Sequence, residues 1–412
     1  MYVFKERVLL VHNYYQQPGG EDVVLRNEQR LLEEKGHFVR LYTRHNDEIH
    51  QFSSWQTFCA LFASVFSLKT YRDVRRLIRE NAIDLVHVHN TLPLISPSVY
   101  WAAHSMQVPV VQTVHNYRLL CPNGLFFRDG HICEDCAEKS LFCAIGHRCY
   151  RGSLAQTVAL VLSMQLHRLA GTYSIPTYIA LTRFGRKKLL QLQQIQRERV
   201  FVKPHFYAPS DALPAPVRKR TRQFVFVGRL DATKGIRMLL EAWAIAALKD
   251  FSLVVVGKGP EDEWCADYVK QQGLTNVKLV GALSHTLALQ TVARSACLVF
   301  PSIWHEGFGL TQMESIALGT PVLVSDTANL REVLTCMGGE HLFCPATAEG
   351  FAQGISLMAT HITAERQSDD TAASQTLNES CLPEKNYQML SDIYAYARRH
   401  ISGKGRALGN AR

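Results

Sequence analysis

Short apolar runs alternate with longer runs of helical period along two stretches of this chain, and the alternation restarts midway. Residues 7–12 are an apolar run of strand length. Gly19-Gly20 marks a loop, 21–35 has helical period closed by Gly36, and 38–42 is the next strand. Residues 83–89 and 108–115 read as two further strands. The second stretch gives strands at 224–227, 253–256, 277–280 and 296–300, with helices at 236–247, 261–272 and 286–295 between them. A helix at 310–318 follows, stopped by Gly319-Thr320-Pro321 before a strand at 322–324. Such alternation predicts parallel sheets covered by helices, the doubly wound α/β class, occurring twice. Residues 203–221 carry four prolines and a short basic run, which favours an extended connection. The expected organisation is therefore a domain over 1–205, a linker over 206–221 and a domain over 222–385. A terminal helix over 386–401 and a flexible tail over 402–412 complete it; 360–385 is polar and reads as loose.

In parallel α/β sheets, ligands bind at the carboxyl ends of strands. Four features fall there. Two strands of the first half end in His-Asn, at His89-Asn90 and His115-Asn116. In the second half, the first strand ends at Gly228, followed by Arg229 and Lys234. Glycine allows close approach of a ligand to the backbone, and two cations can hold a diphosphate, although a pair of surface cations has the same appearance. Gly257-Lys258-Gly259-Pro260 reads as a tight turn from strand to helix or as a ligand contact. Last, Glu306 and Glu314 enclose Gly307-Phe308-Gly309-Leu310 at a helix N-terminus. Two glutamates alone are commonly solvated surface. Here a helix N-terminus suited to a phosphate has a carboxylate on each side, and an ionised carboxylate can accept from neighbouring hydroxyls. Diphosphate plus diols describes a nucleotide sugar.

The segment from Pro301 to Asp326, with Glu-x7-Glu and a following Gly-x-Pro-Val, resembles the donor-binding signature of retaining glycosyltransferases of family 4. Gly228-Arg229-Leu230 with Lys234-Gly235 resembles the same family's phosphate-binding pattern, and Thr113-Val114-His115 its Thr-x-His. The likeness runs from the first strand to about residue 335 and implies the GT-B fold, two Rossmann-like domains facing across a cleft. By that resemblance, Glu314 holds the ribose hydroxyls, Glu306 contacts the sugar, and Arg229 and Lys234 bind the donor phosphates. Gly19 and Gly20 approach the diphosphate from the other domain. His115 positions the reacting sugar, with a proton role open, and His89, Asn90 and Asn116 lie on the acceptor side. Residues 280–282 sit where the base is contacted. Catalysis follows a retaining course by front-side attack, without a protein nucleophile. There is no Asp-x-Asp motif, so cations replace a divalent metal and no cofactor is required.

Charge and cysteines add two things. Residues 1–203 hold 25 Lys+Arg and 16 Asp+Glu, so the whole net charge of +9 lies in the first half. That fits an anionic partner such as a membrane surface or a lipid-linked phosphate. Two apolar stretches flanked by arginines, 55–71 and 154–169, read as core helices or interfacial ones. No apolar run reaches the roughly 18 residues needed to span a bilayer. The N-terminus has no signal-peptide layout. The expected location is cytoplasmic, peripheral at the inner face of the membrane, with the 11 cysteines as thiols or metal ligands. Cys121, Cys133, Cys136, Cys143 and Cys149 cluster in a turn-rich insertion over 121–149. Cys133-x-x-Cys136 with Cys121 and Cys149 has the makings of a structural zinc site; a loop of free thiols or a redox pair are the alternatives.

The leading expectation is a transferase moving a sugar from a nucleotide sugar to a saccharide or lipid-linked saccharide in surface polysaccharide or glycolipid assembly. One rival is a GT-B epimerase, which needs carboxylates as acid and base, and none stands out in the first half. Another is a nucleic-acid-binding protein with a zinc knuckle. It lacks interleaved aromatic and basic motifs and leaves Glu306, Glu314, Arg229 and Lys234 unexplained, so nucleic acid is not the expected partner.

Overall fold

The computed structural model describes residues 5–16, 19–51, 64–208, 220–365 and 377–407 of the 412. The chain divides into two compact units. One comprises Met1–Phe126, Glu134–His205 and Pro383–Arg412; the other comprises Phe127–Cys133 and Phe206–Leu382.

The first unit has a six-stranded parallel sheet: β1 (Arg7–Tyr14), β2 (Phe38–His45), β3 (Leu85–Val88), β4 (Val110–Val114), β5 (Thr177–Ala180) and β6 (Val200–Val202), in the order β2-β1-β3-β4-β5-β6. Helices cover both faces, so Val8, Leu9, Leu10 and Val11 are all fully buried, which explains the unbroken apolar run. Helix α1 (Gly20–Glu34) buries Val24, Leu25, Glu28, Leu31 and Leu32, and Gly36 at φ +84 ends its C-terminal turn. Helix α2 (Leu68–Glu80) starts where the Ser67 side chain accepts from the Thr70 amide, and buries Thr70, Val74 and Ile78. Of the apolar stretch 55–71, residues 55–63 lie outside the described residues. Helix α3 (Ser98–Ser105) follows β3, and α4 (Leu154–Leu169) precedes β5. Leu160, Val161 and Met164 of α4 are core, whereas Leu154, Leu162, Leu166 and Leu169 are exposed. One face of this stretch is therefore core, as the first reading expects, and the other is exposed. Among the described residues, no helix is long and apolar enough to cross a membrane.

The second unit has another six-stranded parallel sheet: β7 (Gln223–Val227), β8 (Ser252–Val256), β9 (Val277–Gly281), β10 (Cys297–Phe300), β11 (Val322–Ser325) and β12 (His341–Cys344). The order is β9-β8-β7-β10-β11-β12. Phe224, Leu253, Val255, Trp243 and Phe351 form its core. Helices at Ile236–Ala246, Asp262–Gln271, His285–Arg294 and Leu310–Ala317 alternate with these strands as the periodicity predicts. Strands β5, β6 and β12, three or four residues long, are not among the predicted strands.

The terminal helix runs over Pro383–Ala407, longer at both ends than 386–401, so the predicted tail begins as helix. Proline suits the first position of a helix because its missing N–H has no partner to lose there. This helix belongs to the first unit, not to the domain that precedes it in the chain. Its Tyr394 hydroxyl meets His87 Nδ1 at 2.8 Å, and its Asn386 accepts from Lys203 at 2.8 Å. Most of the predicted linker, 209–219, and 366–376 of the predicted loose segment lie outside the described residues.

Candidate functional site

Each sheet has a switch point, where strands added later go to the opposite side of the first strand. In such sheets a crevice for ligands forms there, at the carboxyl ends. In the second unit it lies between β7 and β10, and the predicted donor residues flank it. Gly228 and Arg229 leave β7. Asp231 caps the single turn Ala232–Lys234 by accepting from the Lys234 amide at 3.2 Å. Gly235 follows at φ +68, and a Cβ there would lie 2.0 Å from the Pro301 carbonyl oxygen. This close approach packs the β7 loop against the end of β10, and Lys234 Nζ pairs with Glu306 Oε1. Glu306 is 5% exposed. Its Oε1 also accepts from Ser302 Oγ at 2.8 Å, and its backbone oxygen accepts from Asn329 Nδ2 at 2.7 Å. Lys234 further sits 5.5 Å from the Trp304 ring centroid and 5.7 Å from that of Phe300.

Other predicted positions differ in character. Arg229 is half-exposed, 3.6 Å from Asp231. Glu314 Oε1 meets His285 Nε2 at 2.7 Å. The Tyr207 hydroxyl is pushed up to about 12, by burial first and then by the Glu314 carboxylate. Phe308 is buried, and Gly309 at φ +83 caps the helix that begins at Leu310. A Cβ at Gly309 would fall 2.4 Å from Gln312 Nε2. In the turn 257–260, packing accounts for both glycines: added Cβ atoms would lie 1.8 Å from the Gly228 oxygen and 2.2 Å from the Leu230 oxygen. Gly228 is the contrast. A Cβ there would meet only the Phe226 ring at 3.5 Å, an ordinary contact, so protein packing does not require that glycine.

In the first unit the switch point lies between β1 and β3. Gly19 caps α1, and its amide donates to Asp22 Oδ2 at 2.9 Å, while Asp22 Oδ1 is 2.8 Å from His12 Nε2. A Cβ on Gly19 would meet nothing within 4 Å, and Gly20 is the first residue of the helix. Asn90 clasps β1 to β3: its Nδ2 donates to the Asn13 backbone oxygen at 2.8 Å, and its backbone oxygen accepts from the Asn13 backbone N–H at 3.1 Å. Asn116 Oδ1 accepts from the Arg118 amide at 3.1 Å. His89 Nδ1 and His115 Nε2 are 3.0 Å apart, and His115 stacks between His89 and His205, with ring centroids at 5.3 and 5.4 Å. Burial, then the neighbouring imidazoles, holds both His89 and His115 well below the usual histidine range, so both rings are neutral. His89, Asn90, His115, Asn116 and Arg118 all line one cavity of about 50 Å³, with Leu160 and Met164 of α4 as its apolar wall.

Several residues here escaped the sequence reading. Arg118 lines the cavity, and Glu21 beside it is pushed up to about 8, chiefly by burial and then by Asp22, with Arg118 opposing. Glu28 lies fully buried under His87 and His89. Its signal was available: a charged residue in the apolar stripe of α1, between Leu25 and Leu32. Among the cysteines, Cys121 and Cys136 are buried, and Cys121 Sγ donates to Asn123 Oδ1 at 3.0 Å. The neighbouring Cys136 thiol is the chief cause lowering Cys121 to about 6, with burial opposing. Cys143 and Cys149 pack against the cluster formed by Cys136, Leu160 and Met164. Cys133 is half-buried.

Residues 18–211 match the model of Glycosyltransferase Family 4, and residues 214–369 match that of Glycosyl transferases group 1. Glycogen synthase of Mycobacterium tuberculosis is 31% identical over 162 residues, 37% of this chain, and the chain spans only 35% of that relative's length. Alpha-monoglucosyldiacylglycerol synthase of Streptococcus pneumoniae is 21% identical over 94% of this chain and 82% of its own. Among solved structures, Anabaena HepE in complex with UDP and glucose superposes with a TM-score of 0.59 at 15% identity, covering 95% of this chain and 99% of the other. The chain is built of two glycosyltransferase domains and has the GT-B fold.

Proposed function

We propose that the protein is a retaining glycosyltransferase that moves a sugar from a nucleoside diphosphate sugar to a hydroxyl of a saccharide, carried on a lipid. The observation that carries this reading is the paired Lys234 and Glu306 at the switch point of the second sheet, beside a glycine that packing does not require. Lys234 and Arg229 neutralise the diphosphate as negative charge builds on it. Glu306 takes sugar hydroxyls and Glu314 the ribose. The bond from the anomeric carbon to the β-phosphate oxygen breaks, the acceptor oxygen bonds on the same face, and its proton passes to the departing phosphate. His115, neutral, orients the reacting sugar through a ring nitrogen. No divalent ion takes part in this scheme. The HepE complex supports a uracil nucleotide, and the name of the streptococcal relative supports a lipid acceptor.

Two finer assignments accompany it. The basic first half, with the exposed leucines of α4, docks on an anionic membrane surface at the inner face of the cytoplasmic membrane. Flotation with anionic vesicles checks this, and binding should weaken as salt rises. Structural zinc at Cys121, Cys133, Cys136 and Cys149 rests on their spacing in the sequence; among the described residues no three of these sulfurs lie within 4.8 Å of one another, and the buried Cys121 and Cys136 are the pair that comes together. Reductively purified protein should carry one zinc, lost when Cys133 and Cys136 are both replaced by serine, and activity should survive EDTA. Protein without zinc would leave the cysteines as free thiols.

The decisive experiment is a screen of nucleotide sugars for binding and slow hydrolysis, with NMR of the product anomer and single-stranded RNA as competitor. Binding of UDP or GDP with release of the retained anomer supports the proposal; RNA binding without nucleotide binding overturns it. An epimerase reading gains from Glu21, whose carboxyl is pushed up to about 8. It predicts deuterium exchange at C2 of the sugar, which transfer does not.

A further inference from the structure

Behind His115 lies a buried charged network that sugar transfer as described does not use. Glu28 is 1% exposed, and its Oε1 is 2.9 Å from His87 Nδ1 and 3.9 Å from His89 Nε2. Its Oε2 is 3.6 Å from Nζ of Lys203, itself 1% exposed. Burial opposes ionisation of Glu28, but the Lys203 ammonium and the His87 ring outweigh it and hold the carboxyl well below its usual range. The carboxylate is therefore a fixed negative charge facing His89.

A neutral imidazole carries one proton on one of two nitrogens. For His89 the choice is between Nε2, which faces the carboxylate, and Nδ1, which faces His115. With the proton on Nδ1, the Nε2 lone pair would point at a carboxylate across 3.9 Å of buried space. That repulsion is weakly screened. The proton belongs on Nε2, where it meets the negative charge at a distance too long for a hydrogen bond but short for an electrostatic attraction. Nδ1 of His89 then only accepts, and its partner 3.0 Å away, His115 Nε2, must donate. His115 is neutral as well, so its single proton is committed to His89 and its Nδ1 keeps the lone pair.

We propose that Glu28 is a positioning residue that, through His89, sets His115 in the tautomer with the proton on Nε2 and a bare Nδ1. The proposal rests on the reading of His115 as a site residue for its functional meaning. Nδ1 is then a hydrogen-bond acceptor for a hydroxyl of sugar or acceptor, and it cannot donate to an anionic oxygen. His205, stacked on His115 at an interplanar angle of 22°, fixes the ring plane. Glu28, His87 and His89 also have the geometry of a metal-ligand group, since their ligand atoms lie within 4.8 Å of one another. The Lys203 ammonium on the same carboxylate argues against that use, because a divalent cation would sit beside a buried positive charge.

The test is long-range ¹H–¹⁵N NMR of the full chain labelled at histidine, with His89→Gln and His115→Gln for assignment. The parent should show His89 and His115 both protonated at Nε2. Glu28→Gln combined with Lys203→Met removes both charges together and keeps the volume, and should bring in the Nδ1-protonated form of His115. If UDP-glucose is turned over, that variant should lose about 10-fold in kcat with little change in KM. A parent His115 protonated at Nδ1 overturns the proposal even if the double variant does not fold. So does an unchanged tautomer in a folded variant, or a divalent metal bound at Glu28, His87 and His89. The tautomer is read without substrate, so it stands or falls separately from the glycosyl-transfer reading.

Discussion

The two units use the same sheet design for different electrostatics. In the second, the charged groups at the switch point are individually paired and partly reachable: Lys234 with Glu306, Arg229 near Asp231, His285 with Glu314. In the first, they are sunk beneath the surface and connected in series, from Lys203 through Glu28 to His87 and His89 and on to His115. The lesson is that similar strand ends can present charge or neutral hydrogen-bonding groups, depending on what lies behind them. A phosphate site needs cations in reach of an anion. A site that orients hydroxyls is better served by neutral rings held in one plane, and burial keeps them neutral.

This contrast can be broken at several points. The largest effect on folding should come from Glu28→Ala, which leaves the Lys203 ammonium buried with Asn386 as hydrogen-bond partner but without its counter-charge. A loss of about 3–5 kcal/mol in unfolding free energy is expected by denaturant titration. A loss under 1 kcal/mol would mean the first unit tolerates charge as readily as the second. Next is Lys234→Ala, expected to cut turnover about 100-fold or more, with Arg229→Ala close behind and folding little changed in either. Near-normal turnover in both would remove the phosphate assignment.

The last test concerns Glu21 and is read through pH. Its carboxyl rises from 4.5 in the unfolded chain to about 8 in the folded one, mainly through burial. The folded state therefore binds a proton that the unfolded chain has released, and this group's contribution to stability falls as pH rises from 4.5 through about 8. Glu21→Gln should flatten that part of the stability–pH curve, with a gain at pH 8 of up to about 4 kcal/mol, at about 1.4 kcal/mol for each pKa unit. A parallel curve in the variant would show that the shift belongs to another group.

The difference between the units also explains what could be read in advance. Gly228, Arg229, Lys234, Glu306 and Glu314 fall in two short segments, each with its own strand, loop and helix signals, so a local pattern contained most of that half-site. The first half-site is assembled from strand ends and helices far apart in the chain. His89 and His115 were legible as strand-end residues. Glu28, Lys203 and Arg118 were not, because their importance depends on which neighbours they meet. Glycine positions divided similarly. The glycines of 257–260 read ambiguously until backbone contacts at 1.8 and 2.2 Å explained them.

By itself the sequence determined the class. Strand-length apolar runs alternating with helical periods require parallel sheets with helices on both faces, because only that arrangement buries such runs while satisfying their backbone. It also placed glycine, cations and carboxylates at strand ends, since those placements depend on short-range order. Only the tertiary structure decided that the terminal helix belongs to the first unit, where Tyr394 reaches His87 and Asn386 reaches Lys203. It alone decided that Lys234 and Glu306 are partners, and that Glu28 is buried against two histidines. The physical reason is that burial and pairing are properties of neighbours. Whether a glutamate is a solvated surface charge or a fixed charge in the interior depends on residues distant in the chain, and local period carries no record of them.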